Sequence, residues 1–197
     1  MMPEKRQLRT MHLFLASESP RRRELLARLT DDFIVESAEV DELDGRVGLA
    51  CEDIAALNAS AKAEAVAKKH PEAWVLGADT IVVLDRVMYG KPRDLDEARL
   101  FLERLSGKSH NVITAVALRQ FCSGRKIDFT AVSTVRFRNL APERIDEYLS
   151  LVPVLDKAGA YGIQDHGDML VESIDGELEN QRETLLEAAK ALLMKQK

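Results

Sequence analysis

The sequence predicts an α/β protein with a mixed, twisted sheet flanked by helices. Predicted helices and strands alternate in the first half of the chain, whereas two long β-rich stretches, residues 111–118 and 129–137, follow one another in the second half. The first pattern is typical of parallel strands, and the second of an antiparallel pair. A chain of 197 residues with 46% apolar content can bury one core. We therefore expect a tail at residues 1–11 and a single domain at 12–197, with two lobes around a central cleft.

Apolar spacing and turn residues define the elements of the first half. The predicted elements are a strand at residues 13–16, a helix from Pro20 to Leu29, a strand at 33–37, a long helix within 47–69 that ends before Pro71, and strands at 74–76 and 81–84. The short segment 77–80, with sequence GADT, separates the last two strands. Glycine and aspartate are turn formers, so this segment is expected to connect them.

The second half begins with a predicted helix at residues 95–105, before the two long strands. Gly124 and Arg125 would turn the chain between those strands. Pro142 suits the first turn of a further helix, which is expected to end near Leu151. A loop at 156–164, a strand at 169–174 and a last helix at 180–194 complete the prediction, and Asn180 with Glu183 resembles a capping box for that helix.

Composition limits the classes of function. The net charge of -5 argues against a general nucleic-acid coat, so a bound anion has to meet locally clustered basic residues. Cys51 and Cys122 are far apart and form no CxxC pattern, which indicates neither a zinc site nor a disulfide framework. No apolar run is long enough for a membrane span or a signal-peptide core. A cytoplasmic protein without membrane or nucleic-acid partners is expected.

Three consecutive arginines follow a predicted helix start. Ser19 is a candidate N-cap and Pro20 fits the first helical position, which places Arg21 and Arg22 in the first turn. Positive charge there opposes the helix dipole unless an anion lies nearby, so the arginines and free amides together suggest a phosphate site. A solvated arginine run on a capped helix explains the spacing equally well.

Two carboxylates are candidate site residues. Asp79 follows an apolar run, and a buried carboxylate is costly unless it is paired or binds a metal. A turn aspartate between two hairpin strands is the simpler local interpretation, and Glu42 has the same ambiguity. Lys62, among alanines, and Lys91, in a Gly-Lys-Pro turn, are uninformative alone because most lysines are solvated.

Five motifs together resemble the Maf family. They are LASESPRRRELL at residues 15–26, GADT at 77–80, GKP at 90–92, LSGKSH at 105–110 and DKAGAYGIQ at 156–164. They occur in the family's order, and the resemblance extends from about Leu13 to Gly176. Residues 177–185 depart from it, because the family's usual Gly-Leu-Pro before the last helix is missing.

The resemblance implies a nucleoside triphosphate pyrophosphatase with a fold similar to that of inosine triphosphatase, often assembled as a homodimer. It implies that Asp79 is the catalytic carboxylate and that Asp79 and Glu42 hold Mg²⁺ or Mn²⁺. Arg22, Lys62 and Lys91 would neutralise the triphosphate and the departing pyrophosphate.

The resemblance also indicates the substrate. Arg21, Thr80 and Gln164 match the branch that acts on dTTP and UTP, whereas a sister branch acting on 7-methyl-GTP has tryptophan, glutamine and glutamate there. A glutamine amide can both donate to and accept from a uracil-type edge. Two alternatives stay open: a pyrophosphatase for modified nucleotides, and a nucleotide-binding regulator of cell division that does not depend on turnover.

Overall fold

The computed structural model describes residues 12–175, except for the side chain of Arg46. The predicted tail at 1–11 and the predicted last helix at 180–194 lie outside the described residues. The described helices and strands are β1 (Leu13–Ala16), α1 (Pro20–Ala27), β2 (Ile34–Val35), α2 (Cys51–Lys69), β3 (Trp74–Leu84), β4 (Val87–Tyr89), α3 (Leu95–Leu105), β5 (Ser109–Gln120), β6 (Arg125–Phe137), α4 (Pro142–Leu151) and β7 (Val171–Asp175). Short 3-10 turns occur at Gly45–Val47, Ala158–Ala160 and Gly167–Met169.

The seven strands form one mixed sheet, which confirms the predicted fold class. The order is β2-β1-β3-β5-β6-β7, with β4 also paired to β3. β1 is parallel to β2 and β3, and the other pairs are antiparallel. The two long predicted strands pair as expected, from Ser109↔Arg136 to Gln120↔Arg125. Among residues 12–175, no helix is long and apolar enough to cross a membrane.

The prediction that residues 77–80 connect two strands is wrong. β3 runs unbroken through them and pairs with β5 from Val75↔Arg119 to Val83↔Asn111. Pairing and packing override the local turn preference of glycine and aspartate here. Gly77 has a packing reason instead, because a Cβ there would lie 2.7 Å from the backbone nitrogen of Ala63 and would collide with the carbonyl oxygen of Ala59. The missing side chain lets α2 lie directly on β3.

Several predicted boundaries also shift. The strand expected at residues 33–37 shortens to Ile34–Val35, and α2 begins at Cys51. α1 ends at Ala27, before the predicted Leu29. β7 begins at Val171, after the 3-10 turn Gly167–Met169, whereas the sequence predicted a strand from residue 169. The ends of helices and strands are the part least determined by local sequence, because the ends fray and tertiary contacts decide where regular structure stops.

The two edges of β3 are covered unequally, which produces a notch. On one edge β1 pairs with β3 only as far as Ala16↔Gly77. On this same edge, β4 pairs with β3 only from Val82↔Tyr89 onward. Among the described residues, 78–81 therefore have β5 on one side and no strand on the other. Because side chains alternate along a strand, Asp79 points to one face of the sheet at this notch and Thr80 to the other.

Helices cover both faces around the notch. The buried alanines of α2, Ala55, Ala59 and Ala63, pack with β1, β3 and β5. Leu25 and Leu26 of α1 pack with Leu76 and Ala78. A separate cluster joins α3 and α4 to the end of β6 and to residues of the loops after α4. The cleft lies between the α1 and α2 part of the fold and the part that carries β4 and the loop at 156–164.

Candidate active site

One cleft of about 1160 Å³ collects the predicted site residues. All eight candidates from the sequence line it: Arg21, Arg22, Glu42, Lys62, Asp79, Thr80, Lys91 and Gln164. They come from separate stretches of chain, so the fold brings together what the sequence keeps apart. Their roles stay predictions, but their proximity is a property of the structure.

Asp79 is a buried, paired carboxylate. The side chain is 7% exposed, and its Oδ1 lies 2.8 Å from the ammonium of Lys62. Its Oδ2 accepts a hydrogen bond of 3.1 Å from the side-chain amide of Asn58. The interpretation of Asp79 as a turn residue is therefore wrong, and the burial of its charge is offset by a cation and a donor.

Lys62 joins Asp79 to Glu42. Its Nζ lies 2.8 Å from Oε1 of Glu42 as well as 2.8 Å from Oδ1 of Asp79. The Glu42 side chain is 50% exposed, so it presents its carboxylate to the open cleft. One ammonium thus compensates two carboxylates, one buried and one at the surface.

Asn58 fixes the segment that carries Glu42. Its Oδ1 accepts from the backbone nitrogen of Leu43 at 2.8 Å, and its Nδ2 donates to the carbonyl of Leu43 at 3.0 Å. The same amide group also donates to Asp79. Asn58 lies one turn before Lys62 on α2, so the two side chains leave the same face of the helix. Asn58 is not among the predicted site residues, although the spacing of four between two polar residues on an alanine-rich helix face is a signal for it.

The two carboxylates fit a divalent cation by the chemistry of their donor atoms. Mg²⁺ takes oxygen ligands and is commonly held by one or two carboxylates together with substrate phosphates. In residues 12–175, no cluster of three histidine, cysteine or acidic residues could hold an ion by itself. Asp79 and Glu42 therefore suit an ion that arrives with a phosphate ligand.

Arg22 fills the notch beside β3. Its Nη1 donates to the carbonyl of Ala78 at 2.8 Å and to Ser17 Oγ at 3.3 Å, while Nη2 donates to Thr80 Oγ1 at 3.3 Å. Burial lowers the pKa of this guanidinium, and the charge of Asp79 opposes that shift. Arginine remains charged at neutral pH in either case. Arg22 therefore provides positive charge and also satisfies the carbonyl of Ala78, which no described strand covers.

The first turn of α1 opens on the cleft as expected. Ser19 occupies the N-cap position, but its side chain makes no capping hydrogen bond. Ser17 Oγ accepts from the nitrogen of Ser19 at 3.2 Å instead. Residues 16–22 line the cleft, so the positive end of the helix faces it.

The three residues expected to read the base are arranged unequally. Nη1 of Arg21 lies 3.8 Å from Oδ2 of Asp165, the neighbour of Gln164, and both Arg21 and Gln164 line the cleft. Gln164 is exposed and available to a ligand. The hydroxyl of Thr80 is already bonded to Arg22, and it lies 3.2 Å from Thr114 Oγ1.

Buried aromatic residues hold the loop that carries Gln164. The nitrogen of Gly162 donates to Tyr148 Oη at 3.1 Å, and His110 Nε2 lies 2.8 Å from Tyr161 Oη. Burial raises the pKa of Tyr148 to about 12 and lowers the pKa of His110 to about 4, so both are neutral at pH 7. The loop is also tied to the Lys91 turn, because Gly159 N donates to Gly90 O at 3.0 Å. Neither Tyr148 nor His110 is among the predicted site residues.

The described fold and cleft define an α/β protein with a paired carboxylate and clustered cations facing a solvent-open cavity. A HAM1 protein from Coxiella burnetii has a similar structure, with a TM-score of 0.50, 16% identity, and coverage of 94% of this chain and 99% of that one. At that identity the likeness concerns the fold alone.

A sequence model described as Maf-like protein matches residues 12–181, and the chain belongs to the Maf family. Similar relatives include a protein of Myxococcus xanthus, 47% identical over 169 residues, which cover 85% of this chain and 84% of that protein. Another, from Akkermansia muciniphila, is 42% identical over 168 residues, 85% of this chain and 87% of that one. Both relatives are named dTTP/UTP pyrophosphatase. The predicted family is thereby confirmed.

Proposed function

We propose that this protein hydrolyses dTTP and UTP to the nucleoside monophosphate and pyrophosphate. The observation that carries the proposal is the ammonium of Lys62, 2.8 Å from both Asp79 and Glu42, in a cleft that also holds Arg22 and Lys91. A carboxylate placed in this way can accept a proton from an attacking water, and the cations can stabilise the negative charge of a polyphosphate. The names of the relatives support the choice of substrate.

In the proposed reaction, Asp79 accepts a proton from the water that attacks the α-phosphorus. Lys62 and Asn58 each occupy one oxygen of Asp79, and a carboxylate oxygen has a further lone pair for the water. These two contacts hold the carboxylate in one orientation, as efficient proton transfer requires. The bond between the α-phosphorus and its bridging oxygen breaks, and pyrophosphate departs with the bonding electrons.

Asp79 and Glu42 would together hold Mg²⁺ or Mn²⁺. When bound, the ion would neutralise phosphate charge and polarise the reacting oxygens. Arg22, Lys62 and Lys91 would add positive charge along the triphosphate. Arg21, Thr80 and Gln164, which line the same cleft, would distinguish the pyrimidine base, with Gln164 supplying one donor and one acceptor.

The proposal extends to the setting of the enzyme. We expect it to act in the cytoplasm as a homodimer, without nucleic-acid or membrane partners. The net charge of -5 supports the expectation that it does not bind nucleic acid. Light scattering on the full chain would measure the oligomeric state. A monomeric mass at working concentrations would contradict the dimer.

A turnover screen tests the proposed activity. The full chain is incubated with common and modified triphosphates, and pyrophosphate and orthophosphate are measured separately. We expect pyrophosphate from dTTP and UTP, and no turnover in excess EDTA until Mg²⁺ or Mn²⁺ is restored. Orthophosphate as the first product would instead indicate a phosphatase. A folded protein that binds nucleotide without turning it over would favour the alternative of a regulator.

A further inference from the structure

Arg86 occupies a conformation that ordinarily favours glycine. Asp85 and Arg86 are the two residues of the turn between β3 and β4, closed by the pair Leu84↔Val87. Their φ angles are 53° and 65°. Two positive φ values define the tight type I′ hairpin turn, whose second position is typically glycine. A side chain with a Cβ is strained in this region.

Nothing in the described fold explains an arginine at this strained position. The side chain is exposed, and within residues 12–175 no carboxylate or hydrogen-bond acceptor engages its guanidinium. It does line the cleft, beside Val87 and Met88. Strained residues that persist without a folding benefit concentrate at functional sites.

Most of the other basic side chains of the cleft already interact with protein groups. In the described part of the chain, five of them line it: Arg21, Arg22, Lys62, Arg86 and Lys91. Three of these are already engaged by protein groups: Lys62 by two carboxylates, Arg22 by three oxygen acceptors and Arg21 by Asp165.

Lys91 and Arg86 make no such contact among the described residues, so their charge is uncompensated. They lie on either side of β4, at the two ends of one short strand. Within residues 12–175, a single hairpin therefore presents to the cleft the two basic side chains that no protein group engages.

We infer that Arg86 is a binding residue for the phosphate chain, and that it contacts the diphosphate portion that leaves as pyrophosphate. The inference rests on the proposed function and adds a residue to it. A guanidinium binds two phosphate oxygens at once, and negative charge on the diphosphate grows as the bond to the α-phosphorus breaks. Arg86 therefore stabilises the departing group more than the intact substrate.

Three substitutions separate charge from backbone strain. Arg86→Ala removes the charge and keeps the strained Cβ, Arg86→Gly removes both, and Arg86→Lys keeps the charge. We expect kcat/KM for dTTP to fall about 10-fold in the alanine and glycine variants, and less in the lysine variant. We expect the Tm of Arg86→Gly to exceed that of Arg86→Ala by about 2 to 4 °C. Loss of activity together with a gain of stability is the signature of a residue retained for binding.

Product binding gives a readout independent of turnover. Calorimetric titration with inorganic pyrophosphate should show about 10-fold weaker binding in Arg86→Ala than in wild type. Binding of UMP should be unchanged, because the monophosphate lacks the contacted group. Arg104, an exposed arginine in the last turn of α3, gives the matched control. Arg104→Ala removes the same charge outside the cleft and should leave both affinities at the wild-type value.

The outcomes separate the inference from the proposed function. Wild-type turnover of dTTP with equal pyrophosphate affinity in wild type and Arg86→Ala would overturn the role of Arg86 and leave the enzyme assignment intact. An equal loss of pyrophosphate affinity in Arg104→Ala would also overturn the role of Arg86, because the loss would then follow from the change in net charge alone. A wild type that releases no pyrophosphate from any triphosphate would contradict the proposed function itself.

Discussion

The ammonium of Lys62 lies 2.8 Å from Oδ1 of Asp79, on the face where α2 meets β3. This contact makes a buried carboxylate possible, because an unpaired charge there would be costly. It also predicts that Asp79 can be neutralised without loss of the fold, since Lys62 keeps Glu42 as a second partner.

Asp79→Asn should abolish turnover while the protein stays folded. The amide keeps the shape of the side chain but loses the charge and the basic oxygen. Activity above a tenth of wild type, about 1.4 kcal/mol of barrier, would remove Asp79 from the catalytic role. Circular dichroism checks the fold. Asp31→Asn, at an exposed aspartate outside the cleft, is the matched control and should be fully active.

Arg22→Ala and Lys91→Ala should differ in stability although both impair catalysis. Each removes a cation from the cleft, and we expect kcat/KM to fall by about 2 to 4 kcal/mol of transition-state stabilisation. Arg22 also bonds Ala78, Ser17 and Thr80, so its loss should lower Tm, whereas exposed Lys91 has no such bonds among the described residues. Kinetics and thermal melts measure the two effects. Equal Tm values would mean that the Arg22 contacts contribute nothing to stability.

Asn58→Ala should weaken metal-dependent activity, although Asn58 has no proposed contact with a substrate phosphate. The variant releases Leu43, and with it the segment that carries Glu42, and it frees one oxygen of Asp79. Residues that orient metal ligands typically contribute about 10- to 100-fold in affinity or activity. A Mg²⁺ titration of the rate should show a correspondingly higher half-saturating concentration. An unchanged titration curve would leave Asn58 with a purely structural role.

Gln164→Glu should reduce preference for pyrimidine nucleotides. An ionised glutamate only accepts hydrogen bonds, and it would face the carbonyl oxygens of uracil or thymine without a proton to share. An unpaired contact of this kind costs about 1 to 3 kcal/mol, which predicts a fall of roughly 5- to 150-fold in kcat/KM for dTTP and UTP. The measurement is the ratio of kcat/KM for dTTP to that for GTP. A constant ratio would refute the assignment of Gln164 to base recognition.

His110 should make stability depend on pH. Burial lowers its folded-state pKa to about 4, from an ordinary value of 6.5, so the unfolded chain binds the proton more readily. Stability is then complete above about pH 6.5 and is lost as pH falls toward about 4. Urea unfolding should show that the wild type loses about 2 kcal/mol more than His110→Gln between about pH 7.5 and pH 5. Parallel losses in the two proteins would exclude His110 as the cause.

The sequence predicts which residues form the site better than it predicts the strand pairing that brings them together. The five motifs contain six of the eight candidates, the family resemblance adds Glu42 and Lys62, and the structure places all eight in one cleft. Local sequence alone misreads Asp79 as a turn residue, because the signal that overrides its turn preference is the pairing of β3 with distant β5. In this pairing Asp79 lies opposite Ala115, which is too far along the chain for any short sequence window to contain both.

Supporting residues are the least predictable part of the site. Tyr148 and His110 hold the Gln164 loop through single hydrogen bonds between remote segments. Nothing in their immediate neighbours distinguishes them from ordinary core residues. Asn58 is different, since its spacing of four from Lys62 on an alanine-rich helix face is visible in the amino-acid sequence itself.

The notch in β3 also bears on aggregation. An uncovered sheet edge exposes backbone groups on which a strand of another molecule can assemble. Within the described part of the chain, the residues of β3 without a strand on this edge are 78–81, with β1 before them and β4 after them, and the guanidinium of Arg22 donates to the carbonyl of Ala78. A strand from another molecule would find only a span of four residues, about 13 Å, enclosed at both ends. At this notch the central sheet is therefore open to small molecules and offers little backbone to another polypeptide.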